Sequence, residues 1–142
     1  MNNITFNISY AQAFILTHTL TYYTSGPKFQ CVKKSLSRNE QDILNSFDDR
    51  IEFYKEETKK KYPELFGTPL YKDNKAWNIP VVVESTTVEL DLAIQAIEES
   101  INETESDDFY ELEVIAGHPI ADIRRCLELL MMLKEHFSTK PQ

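Results

Sequence analysis

A serine or threonine followed three residues later by glutamine or glutamate opens an apolar helical repeat at three places: Ser9 and Gln12, Ser37 and Glu40, Thr86 and Glu89. In such a capping box the hydroxyl accepts from the backbone N–H three residues on. The later side chain reaches back to the first residue's own N–H, so two donors that a helix start leaves unpaired are satisfied together. Three helix starts are thereby fixed by local chemistry, before any long-range contact is considered.

The residues after each box set the length of its helix. After Ser9, the residues Ala13, Leu16, Leu20 and Tyr23 recur at helical spacing and Gly26-Pro27 stops them, which predicts a helix over 10–24. After Ser37, Ile43, Leu44, Phe47, Ile51 and Tyr54 share one face, and Asp48, Asp49, Glu52, Lys55, Glu56 and Lys59 take the other, giving a long amphipathic helix to about Lys60. The third stretch is ambiguous, because Val88, Leu90, Leu92 and Ile94 alternate like a strand while Leu90, Ile94, Ile97 and Ile101 repeat like a helix. The helical set runs longer and carries the box, so a helix is expected over 87–101. A closing helix is expected from Pro119, through Ile120, Ile123, Leu127, Leu130 and Leu133, to about Phe137.

Strands are read between these helices. Ile4, Phe6 and Ile8 alternate with Thr5 and Asn7, and the β-branched run Ile79 to Glu84 reads as a buried strand whose Pro80 lies at its edge. Phe109 to Ile115 is read as another strand, and Lys28 to Lys34 as a further one resting on Phe29, Cys31 and Val32. Tyr62 to Asn78 is rich in turn residues and reads as an extended connection. The expected fold class is α+β (or α/β): a three- or four-stranded sheet, with some parallel pairing, and about four helices packed on it. The 142 residues form one domain, frayed after Ser138.

Charge is unevenly placed. Residues 1–75 hold eleven basic and nine acidic side chains, residues 124–142 hold four and two, and residues 76–123 hold twelve acidic and no basic ones, so that stretch carries −12 against −8 for the whole chain. The acids are densest from Glu98 to Glu113. A surface that owes nothing to a partner mixes its signs to limit self-repulsion.

Several function classes are disfavoured. Gly26, Gly67 and Gly117 are isolated and build no phosphate-cradling loop. The acidic balance argues against nucleic-acid binding, which draws its affinity from Lys and Arg; the one basic run, Lys59 to Lys61, belongs at a helix end, where it complements the dipole. His18, His118 and His136 lie on three different elements with no ligand at metal spacing, and the Asp/Asn spacing and Gly of a calcium loop are missing around Asp107. No cofactor or metal is expected. Cys31 and Cys126 form no disulfide framework, the N-terminus has no signal-peptide pattern, and Leu129 to Leu133 is too short to cross a bilayer; together these predict a reducing, cytoplasmic setting without membrane association.

The expected function is a non-catalytic acidic binding protein that neutralises a basic protein partner, such as an immunity protein or antitoxin blocking a nuclease-type toxin in a bacterial cell. Its partner-binding residues are Glu98, Glu99, Glu103, Glu105, Asp107, Asp108 and Glu111, with Phe109 and Tyr110, and Trp77 beside them, as aromatic anchors. Two alternatives stand beside it. One is a small enzyme built around His118, with Asp122, Arg124 and Arg125 near in sequence, which requires His118 to sit in a concave pocket. The other is a subunit of a homo-oligomer, joined through an exposed patch of Leu129 and Met132 on the closing helix.

Overall fold

The computed structural model describes residues 3–24, 35–66, 75–104, 113 and 119–139. All three capping boxes form, each with the reaching side chain 2.9 Å from the cap's N–H nitrogen and the hydroxyl 3.1 Å from the nitrogen it accepts from. They start the helices α1 (Tyr10–Thr24), α2 (Arg38–Lys61) and α4 (Thr87–Thr104); the described residues also form a short α3 (Pro63–Phe66), a 3-10 turn (Lys75–Asn78) and α5 (Ile120–Thr139). The strand-or-helix ambiguity after Thr86 resolves as helix. Lys59, Lys60 and Lys61 fall in the last turn of α2, where backbone carbonyls leave negative charge.

The strands are β1 (Asn3–Ser9) and β2 (Pro80–Thr86), each alternating exposed and buried residues. They pair antiparallel, Asn3 opposite Thr86, Phe6 opposite Val83 and Ser9 opposite Pro80. Ile4, Phe6, Ile8, Val81 and Val83 point inward, while Asn3, Thr5, Asn7, Val82 and Glu84 face out. Pro80, which has no N–H to give, stands at the strand's first position, and the pairing is prolonged beyond it by Tyr10 N–H donating to the Ile79 carbonyl at 2.8 Å.

The expected three- or four-stranded sheet with parallel pairing is overturned: among the described residues the fold is mostly helical and its sheet is this two-stranded antiparallel ribbon. The segments 28–34 and 109–115, read as further strands, lie outside the described residues apart from Glu113, which is helical. Short apolar runs do not distinguish strand from helix by period, and one buried face of two strands is a small area that a single layer of helices covers.

That layer is organised by α1. No Asp, Glu, Lys or Arg occurs before Lys28, and α1 buries side chains all round, among them Leu16, Leu20, Tyr22 and Tyr23. It touches the ribbon, α2, α4 and α5. An uncharged helix without a polar face belongs inside, and each fully buried Leu contributes about 1.5–3 kcal/mol of transfer free energy. Against it α2 packs Leu44, Phe47 and Ile51, α4 packs Leu90, Ala93 and Ile97, and α5 packs Ile123, Cys126 and Leu130. No helix among the described residues is long and apolar enough to cross a membrane.

Candidate functional site

The acids become dense on α4, where Asp91, Gln95 and Asn102 are exposed and Glu98 and Glu99 are half-buried. Most acids in the described elements have an internal partner. Asp91 meets Lys134 of α5 at 2.9 Å. Glu113 accepts from the Ile120 N–H at 2.6 Å, which satisfies a donor at the start of α5, and Asp122 pairs with Arg125 one turn on. Glu84 accepts from Asn3 across the ribbon at 3.3 Å.

Glu89 is the most enclosed of them. It is buried, closes the capping box on Thr86, and also receives both terminal nitrogens of Arg50 from α2. The same guanidinium donates to the Glu84 carbonyl at 2.9 Å, so one arginine ties α2 to the junction of β2 and α4. Burial alone would raise the Glu89 pKa, but the hydrogen bonds from Arg50 and Thr86 hold it below the ordinary carboxylate value.

Glu99, one of the sequence-predicted binding residues, is committed inward. Its carboxylate accepts from the Tyr23 hydroxyl at 2.7 Å, the Ser35 N–H at 2.9 Å, the Ser35 hydroxyl, and Gln95 Nε2 at 2.9 Å. The Tyr23 oxygen in turn accepts from Leu36 N–H. Burial opposes its ionisation, yet Ser35, Tyr23 and Gln95 keep its pKa below the ordinary value. Glu99 thus fastens the chain entering α2 onto α4 and α1. Glu98, next to it, is half-buried and makes no side-chain bond among the described residues. Glu103 stands in the last turn of α4, and Glu105, Asp107, Asp108, Phe109, Tyr110 and Glu111 lie outside the described residues, as does His118. Trp77 packs edge-on to Phe14 and against Tyr10, under α1.

A second polar region, missed in the sequence, is the seam between α1 and α2. Lys55, placed by periodicity on the outer face, is only 4% exposed. Its ammonium donates to Thr17 and to Glu52 and lies 5.1 Å from the centre of the Phe14 ring and 5.7 Å from that of Tyr10, so the charge is held by a carboxylate, a hydroxyl and two aromatic faces. His18 stacks on Phe14 at 4.0 Å and donates from Nδ1 to the Phe14 carbonyl. The uncharged, threonine-rich α1 was the available signal: the cation needed its partners there. No group of three His, Cys, Asp or Glu side chains able to hold a metal occurs among the described residues.

Outside the ribbon, between its exposed face and the end of α2, runs a groove of about 400 Å³ bordered by Thr5, Val82 and Glu84 on the strands and Tyr54, Lys61 and Tyr62 beyond. Comparison with protein-family models, curated proteins and solved structures found no match.

Proposed function

We propose that the protein is a non-catalytic acidic binding protein that neutralises a basic protein partner in a reducing cytoplasm, in the manner of an immunity protein or antitoxin that occludes a nuclease-type toxin. The observation that carries this reading is the run of 48 residues, 76–123, with twelve acids and no base. The internal bonds sharpen it. Glu84, Glu89, Asp91, Glu99, Glu113 and Asp122 are occupied within the fold, so Glu98 is the acid of this run left open among the described side chains, and the reading assigns the same role to the run from Glu103 to Glu111 on its charge alone. Such a surface speeds encounter with a cationic patch by imitating a polyanion, and Phe109 and Tyr110 add the contacts that slow release.

The test is affinity capture from the source cell's lysate at low and high salt, with the quadruple variant E103Q/E105Q/D107N/D108N alongside. The unaltered chain is expected to retain a basic protein, and the variant to associate at least about ten-fold more slowly with unchanged circular dichroism. A partner retained equally by both, or no partner at either salt, rejects the proposal.

One observation favours a second reading, a homo-oligomeric subunit: Met131 and Met132 on α5 are 46% and 68% exposed. Leu129, the other half of the expected patch, is partly buried against the core. Light scattering decides it, since a mass twice that of the chain supports assembly and a monomer at high concentration removes it.

A further inference from the structure

Near the middle of the α1–α2 seam Asp48 makes a bond whose proton count is unusual. Its Oδ2 lies 2.9 Å from the exposed Thr21 Oγ1, which itself lies 2.9 Å from the Thr17 carbonyl, while Asp48 Oδ1 is buried with no partner among the described residues. The Thr21 hydroxyl has one proton and faces two acceptors. If Asp48 is ionised, that proton serves either the carboxylate or the carbonyl, and the buried Oδ1 has no donor among the described residues. If Asp48 carries a proton on Oδ2, it donates to Thr21, Thr21 donates to Thr17, and both contacts are satisfied in one direction.

We infer that Asp48, Thr21 and Thr17 form a proton-operated latch between α1 and α2, closed when Asp48 is neutral and weakened when it ionises. The surrounding charges bear the same way. On α2 itself Asp49 and Glu52 oppose ionisation, and Lys55, the one nearby base that favours it, is directed at Thr17 and Glu52. Arg50 is taken by Glu89. The elements packed on α2 bring Tyr10 and His18 from α1, Glu84 from β2, Glu89 from α4 and Glu64 from α3; His18 lies close enough to Glu52 to act on its charge. Burial above all, then these acids, pushes the Asp48 pKa up to about 6 despite the Thr21 hydroxyl and Lys55. Because the folded value is raised, the stability tied to this proton is complete below the ordinary value of 3.8 and is lost as pH rises through about 6. This inference rests on the seam alone and is independent of the proposed partner.

Carboxyl carbon NMR of the ¹³C-aspartate-labelled full chain, titrated from pH 3 to 8, tests it. The Asp48 signal, assigned through the backbone, is expected to titrate about two pH units above an ordinary aspartate. A midpoint near 4 overturns the latch. Melting curves of the parent and D48N supply the second measure. The advantage of D48N is expected to grow from pH 5 to pH 7, and an advantage constant over that range, or none, overturns it. Should D48N fail to fold, the titration of the parent still decides.

Discussion

The molecule contains the same local device twice. In β1–α1 and in β2–α4 a seven-residue strand of identical exposure pattern ends in a residue that caps the helix beginning at the next position. The strands run antiparallel with Phe6 and Val83 at the centre of the register, so a two-fold axis through that pair carries Asn3 onto Pro80 and Ser9 onto Thr86. Local geometry is shared, and charge separates the two. The first unit closes its box with neutral Gln12 and has no charged residue, and its helix lies at the centre of the core. The second closes its box with Glu89, and its helix, buried along Leu90, Ala93, Ile97 and Ile101, keeps a face with Asp91 and Gln95 in solvent. An N-terminal box decides where a helix starts; the charge along the helix decides whether it keeps a face in water.

That contrast can be broken most strongly at Arg50. R50A strands the buried Glu89 carboxylate and is expected to cost about 2 kcal/mol in urea unfolding, the partial exposure of Arg50 keeping the value below that of a fully enclosed pair. Q12A removes only the neutral box and is expected to cost about 1 kcal/mol. Equal losses would mean that the clamp adds nothing to the cap. The finest distinction is in pH. Glu89 has a lowered folded pKa, so its contribution is present above the ordinary value of 4.5 and is lost as pH falls below it; the Gln12 box has nothing to titrate. E89Q should therefore show a shallower loss of melting temperature below pH 4.5 than the parent, and Q12A the parent's slope. Matching slopes in all three would remove Glu89 from the acid response.

The parts of this fold legible in the sequence are those decided within a few residues. Ser9, Ser37 and Thr86 announced their helices because a box closes over three positions, and Ile4, Phe6 and Ile8 announced β1 because pleating alternates side chains. Sheet size was not legible, since pairing is settled by contacts between distant segments, and Phe29–Val32 is too short a run to report one. The acidic bias could be counted, but which acids are spent inside the fold could not: Glu99 finds Ser35 across 64 positions and Glu89 finds Arg50 across 39. Lys55 was misplaced because periodicity treats every lysine as solvated, whereas Tyr10, Phe14 and Thr17 made a lining for this one.

The long interval between β1 and β2 has a consequence in time. Each β1 residue stands 77 positions ahead of its two-fold counterpart, so on a ribosome adding about 5–20 residues per second β1 waits roughly 4–15 s for its partner strand. Throughout that wait residues 1–27, which lack any Asp, Glu, Lys or Arg, are already synthesised. An uncharged stretch that is made before its partner strand is one that a chaperone would shield during synthesis.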